Sequence, residues 1–102
     1  VGAPHRAPSA PDVPTTTEVG MANLQTENWY GMVAPGKTPP QIVAALNKAA
    51  VEAMKDPDVV EKMKLQGAEL VGDSPEHFRD FIDSEIKKWA KVIKDAGVET
   101  SK

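Results

Sequence analysis

SPEHFRDFIDSEIKKWAKVIKDAG, Ser74 to Gly97, is the stretch that decides the fold class of this chain. Ser74 offers a capping hydroxyl, Pro75 suits the first helical position, and Glu76 follows in the first turn, which together predict a helix start. Beyond it, Phe78, Phe81, Ile82, Ile86, Trp89, Ile93 and Ala96 recur at steps of three or four, with one adjacent pair. That spacing draws a single apolar stripe along one helix. Gly97 is the expected left-handed stop. Glu76 and Asp80 near the start, and Lys91 and Lys94 near the end, complement the helix dipole. Asp83–Lys87 and Glu85–Lys88 can pair on the wet face, at about 0.2–0.5 kcal/mol each.

The same punctuation recurs upstream. In Thr38-Pro39-Pro40-Gln41, Thr38 is the expected cap, Pro39 the first helical residue and Gln41 the partner that completes a capping box. A helix is predicted from Pro39 to about Lys55, with Ile42, Val43, Leu46, Ala49, Ala50 and Ala53 on its apolar stripe. Asp56-Pro57 opens a second helix that buries Val60 and Met63 and stops at Gly67. Three capped helices without further self-similarity do not make a repeat architecture.

Asn28 to Ala34, rich in aromatic and β-preferring residues and ended by Pro35-Gly36, is the best strand candidate. As a strand it points Trp29 and Tyr30 to opposite faces, and Gly31 in its middle signals a close backbone approach or a bulge. Ala68 to Val71 is a second short strand candidate. Before them, Pro4, Pro8, Pro11 and Pro14 hold the chain in extended, irregular conformation. Thr15 to Val19 is expected to make one short helical turn, with Glu18 near its start and Gly20 at its end. The organisation is then a Pro-rich extended segment over 1–27 and a strand with three helices over 28–102.

Bulk properties exclude several functions. The 102 residues carry a net charge of −3 with both signs interspersed, which fits neither a nucleic-acid face nor a polybasic membrane segment. There is no cysteine, so neither a disulfide frame nor a thiolate metal site exists. No apolar run approaches the roughly 18 residues of a membrane span. The first residues show no charged-then-apolar signal pattern.

Reactive constellations are also missing. His5 and His77 are the only histidines, and neither has a second ligand at a metal-binding spacing. Asp56 and Asp58 flank a proline at a helix start, where capping and dipole effects account for them. Ser9, Ser74, Ser84 and Ser101 lack a nucleophile-elbow context. Gly36-Lys37-Thr38 echoes a phosphate loop, but Gly31 precedes Gly36 by five residues and Pro35 intrudes. Lys87, Lys88, Lys91 and Lys94 read as a solvated face. Trp89 falls on the core stripe. Trp29 and Tyr30 either pack beneath a helix, the preferred reading, or line a pocket. No cofactor and no enzymatic activity are expected.

The order of these motifs resembles a known family. Arg6-Ala7-Pro8-Ser9-Ala10-Pro11-Asp12-Val13-Pro14-Thr15, Thr17-Glu18-Val19-Gly20 and Asn28-Trp29-Tyr30-Gly31-Met32-Val33-Ala34-Pro35-Gly36-Lys37-Thr38-Pro39 are similar to segments of the Bug-type periplasmic solute-binding proteins of tripartite tricarboxylate transporters. Leu46-Asn47, Asp56-Pro57, Gly67-Ala68, Ser74-Pro75-Glu76 with Phe78, and Glu85-Ile86 with Trp89, Val92, Ile93 and Ala96-Gly97 continue in the same order. Pro35-Gly36-Lys37-Thr38, where glycine comes early, and Val1 to His5 depart from the pattern.

The resemblance implies an α/β fold: the C-terminal portion of a two-lobed periplasmic binding protein, mainly three helices with one or two short strands. It implies a periplasmic receptor that binds a small carboxylate and delivers it to membrane permease subunits, with Thr15, Trp29 and Tyr30 at the cleft border. The first lobe and middle region of that family have no counterpart here, so the chain is expected to be a fragment. Its strand is then expected to pair between copies, as a homodimer or strand swap. The alternative is a helical protein-interaction module without a small ligand.

Overall fold

The computed structural model describes residues 1–99, so Ser101 lies outside it. Three helices follow a long irregular N-terminal segment: α1 (Pro40–Ala53), α2 (Pro57–Leu65) and α3 (Pro75–Ala96).

The longest helix forms as its punctuation dictates. Ser74 Oγ accepts the His77 N–H at 3.1 Å, and Pro75 occupies the first turn. At the other end Gly97 sits at φ +67, a conformation costly for any residue with a Cβ. Its N–H donates to Lys94 O at 3.2 Å and the Val98 N–H to Ile93 O at 3.1 Å, which closes the last turn. The second helix repeats the scheme. Asp56 Oδ1 accepts the Asp58 N–H at 2.8 Å, and the Ala68 N–H returns to Met63 O at 2.9 Å.

The first helix departs from expectation at both ends. It starts at Pro40, Pro39 is the cap residue at ψ 142, and no side chain caps it. A residue that precedes proline is driven out of the α region, so Pro40 holds Pro39 extended and moves the start one residue on. Thr38 is then too far away to cap; its N–H closes a turn on Pro35 O at 3.0 Å. At the far end the helix stops at Ala53 rather than Lys55. Lys55 and Asp56 donate to Glu52 O and Ala53 O at 3.1 and 3.2 Å, the tighter bonds of a closing turn.

Neither expected strand forms a ladder among the described residues. The chain runs without a turn or bend from Leu24 to Pro35, and no backbone–backbone hydrogen bond engages Asn28 to Ala34. Ala68 to Val71 has no strand partner either; its one backbone bond is the Ala68 N–H to Met63 O that ends α2. A strand exists only through its neighbour, and no described segment forms a ladder with either one.

Aromatic packing takes the place of the ladder. The Trp29 ring meets Phe78 and Phe81 edge-on, with centroids 5.7 and 5.2 Å away. Phe78 and Phe81 stack on each other at 6.4 Å. Gly31 crosses directly over Phe78: a Cβ there would overlap the ring at Cζ. The glycine therefore marks a close approach of backbone to ring, not a bulge. Trp29 and Tyr30 do face opposite ways, Trp29 inward at 42% exposure and Tyr30 outward at 95%.

Helices α1 and α3 pack against each other. Asn47 Nδ2 donates to Asp73 O at 2.8 Å, and Val51 and Met54 cover the turn at Gly72. The half-buried face of α1 is Val43, Asn47, Ala50, Val51 and Met54. The predicted stripe is thus rotated, and Ile42, Leu46, Ala49 and Ala53 face solvent. On α2, Val60 and Met63 are exposed rather than buried, and only Val59 is half-covered; the substantial helix–helix packing is between α1 and α3. His5 Nε2 lies 3.1 Å from Glu69 Oε2 and ties the N-terminal segment to the chain after α2.

The result is open. No described apolar residue is fully buried, and the surface measures 8756 Å², against about 5,600 Å² for a compact protein of this mass. The Cα radius of gyration is 16.7 Å, against about 13 Å for a compact chain of this length.

Gly31→Ala is expected to lower stability by about 1–3 kcal/mol, since the methyl must displace the Phe78 ring. Gly36→Ala, where nothing lies within 4 Å, should stay within about 0.5 kcal/mol. Urea unfolding followed by tryptophan fluorescence checks both.

Candidate functional site

The N-terminal segment is tied into one knot. Thr15 is 3% exposed, the one fully buried polar residue described. Its Oγ1 accepts the Glu18 N–H at 3.1 Å, while Glu18 Oε2 accepts the Thr15 N–H at 2.8 Å. This is a reciprocal capping box wrapped around a single turn. The far end of the turn closes through Gly20 N–H to Thr17 O at 3.1 Å and Met21 N–H to Thr16 O at 2.7 Å.

Arg6 completes the knot. Its Nε donates to both Glu18 carboxylate oxygens, at 2.9 and 3.2 Å, and its Nη1 donates to Pro11 O at 2.9 Å. The Thr15 N–H first, and the Arg6 guanidinium second, hold the Glu18 carboxyl below its ordinary value of 4.5. Thr16 Oγ1 is buried beside this turn without a partner. The Thr-x-x-Glu spacing of Thr15 and Glu18 carries the capping-box signal in the sequence. The Arg6 pairing has no such local signal, because the intervening prolines set it.

Two open depressions lie elsewhere on the surface. One, of about 350 Å³, is lined by Thr26, Glu27, Asn28 and Trp89. Lys88 Nζ donates to Gln25 O at 2.6 Å and sits 5.4 Å from the centre of the Trp89 ring. Trp89 Nε1 donates to Glu85 Oε2 at 2.7 Å, so Trp89 is half out of the core stripe predicted for it. The other depression, of about 280 Å³, is lined by Asp73, His77, Asp80, Phe81 and Ser84. There His77 Nδ1 lies 2.6 Å from Asp73 Oδ2, and the Ser84 hydroxyl donates to Phe81 O at 2.8 Å. Asp73 Oδ1 also accepts the Ser74 N–H at 2.9 Å. These bonds shape the start of α3 and leave Ser84 tied to helix backbone.

Thr15, Trp29 and Tyr30 line neither depression. No hydrogen bond or ring contact joins Thr15 to the two aromatics among the described residues. Thr15 is committed to its cap, Trp29 to the phenylalanines, and Tyr30 to solvent. No cluster of three metal-ligating side chains occurs among the described residues, and no described helix is long and apolar enough to cross a membrane.

Residues 1–98 match the profile described as tripartite tricarboxylate transporter family receptor. Protein BugT of Bordetella pertussis is 36% identical over 94 residues, 92% of this chain and 29% of that protein. A UPF0065 protein from the tcbD-tcbE intergenic region of Pseudomonas sp. strain P51 is 38% identical over 89 residues, 86% of this chain and 26% of that one. The solved structure of the periplasmic binding protein BugD superposes with a TM-score of 0.80 and 34% identity, covering 98% of this chain and 34% of that chain. This chain belongs to the tripartite tricarboxylate transporter receptor family, a family of transport receptors rather than enzymes. It spans under a third of the length of the curated relatives just named, and its fold is that of a portion of a two-lobed binding protein.

The Glu18 knot sets a pH dependence. A carboxyl depressed in the folded state stabilises the fold above its unfolded value, and the contribution fades as pH falls through the lower folded value. Glu18→Gln should therefore be less stable than the parent at neutral pH. The gap should narrow as pH drops below about 4.5, which thermal melts at a series of pH values will measure.

Proposed function

We propose that this chain is the C-terminal portion of a periplasmic receptor that binds a small carboxylate and delivers it to membrane permease subunits. The likeness to BugD across 98% of this chain at 34% identity carries the reading. Thr15, Trp29 and Tyr30 border the ligand cleft in this reading. The Arg6–Glu18–Thr15 knot would serve there as a rigid shoulder, and the 95% exposure of Tyr30 leaves its ring and hydroxyl free for a facing surface.

This chain supplies only part of such a cleft. The one guanidinium near the knot is neutralised by Glu18, and the larger depression contains Glu27. Neither offers a free cation to an anionic ligand, so the donors that hold a carboxylate belong to the rest of the receptor. A second reading, a helical interaction module without a small ligand, draws on the exposed Ile86, Trp89 and Val92 of α3. It requires partner binding that no carboxylate alters.

Calorimetry with a panel of di- and tricarboxylates separates the two. The 102-residue chain is expected to give no heat, and a longer receptor that contains it is expected to bind one of them, with Tyr30→Ala weakening that affinity. Silence from the longer receptor across the panel would overturn the carboxylate reading.

A further inference from the structure

We propose that Arg6 is a charge shield for the ligand cleft: by neutralising Glu18, it keeps the turn at Thr15 from presenting a negative charge to an anionic ligand. The inference rests on the reading of Thr15 as a cleft-border residue, and it adds Arg6 and Glu18 to the residues that set affinity there.

The turn needs an oxygen from Glu18 but not its charge. Two bonds close the capping box, the Glu18 N–H to Thr15 Oγ1 at 3.1 Å and the Thr15 N–H to Glu18 Oε2 at 2.8 Å. Both run between these two residues alone. An uncharged glutamine serves equally at the last position of such a box. The carboxylate therefore brings a negative charge that the capping geometry does not require. It is bonded directly to the Thr15 backbone, so an anion that approaches Thr15 meets it at close range.

Arg6 cancels that charge. Its Nε donates to both carboxylate oxygens, at 2.9 and 3.2 Å, and it is the one side-chain cation that acts on Glu18. A second anchor holds it there, since Nη1 donates to Pro11 O at 2.9 Å. Both side chains are nearly half exposed, 45% for Arg6 and 44% for Glu18. An ion pair so exposed adds little to stability by itself, whereas cancellation of a charge acts through the field and needs no burial. The chain as a whole carries −3, so it has no positive surplus to absorb an unpaired Glu18.

A bare unit charge about 8–10 Å from a ligand carboxylate, in a site between the protein and water limits of screening, changes affinity by about threefold to tenfold. Salt reduces that change.

Calorimetry on a longer receptor that contains this chain tests the shield, with the di- and tricarboxylate panel, citrate and succinate among it, as probes. Arg6→Gln is expected to weaken carboxylate binding by about threefold or more, and the loss should shrink in about 1 M salt. Arg6→Lys keeps the charge without the fork and should recover most of the loss. Adding Glu18→Gln to Arg6→Gln should restore affinity. The double variant still lacks every guanidinium bond to Glu18 and Pro11, so its recovery reports charge and not repair of the knot. Thermal melts of each variant show whether the receptor is folded. A parent receptor silent toward the whole panel overturns the cleft reading and the shield together. A parent that binds, with R6Q binding as tightly or with R6Q/E18Q as weak as R6Q, leaves the cleft reading standing and overturns the shield.

Discussion

The clasp of Trp29 by Phe78 and Phe81 is the contact on which the rest of this structure depends. It joins a segment with no internal hydrogen bonds to α3, the longest described helix. Each edge-on aromatic pair contributes about 0.5–1.5 kcal/mol beyond the area it covers. Those increments matter more than usual here, because no described apolar side chain is fully buried. Gly31 permits the clasp by letting the main chain lie against the Phe78 ring. Without it the segment before α1 would be a tether rather than part of the fold.

The clasp also explains the division of the molecule into a fixed side and an open side. Toward α3 the segment is packed; away from it, Tyr30 and Met32 stand in solvent. The N-terminal knot is built on a different principle, with hydrogen bonds and one ion pair around a single turn. An exposed ion pair alone is weak. Here the Glu18 carboxylate takes both the Arg6 guanidinium and the Thr15 N–H, while the Glu18 N–H returns to Thr15 Oγ1. Both elements give local rigidity without a large core.

The helices were legible because their signals are local. Ser74-Pro75, Asp56-Pro57 and the stop glycines state where helices start and end, and the structure follows them. Thr38-Pro39-Pro40 was misleading because two prolines in succession obey a rule about the preceding residue that outweighs the cap. The α1 face was misassigned for another reason: alanines at many positions make its apolar stripe wide, and Asn47, a polar residue, anchors the buried side through Asp73. The strands failed because pairing is non-local, and no described segment pairs with Asn28–Ala34. The close approach at Gly31 was readable from a glycine inside an aromatic run. Of the candidate site, Thr15 was read through its resemblance, whereas its capping box was written plainly in Thr-x-x-Glu. The Arg6 partner and the depression beside Trp89 depend on how distant segments meet, which no spacing encodes.

Proton NMR of the 102-residue chain tests the clasp most directly. The account requires nuclear Overhauser contacts from the Trp29 indole to the rings of Phe78 and Phe81, together with a ring-current displacement of the Gly31 α-protons by Phe78. Gly31 protons at random-coil positions, with no contact between the indole and either phenylalanine, would contradict it.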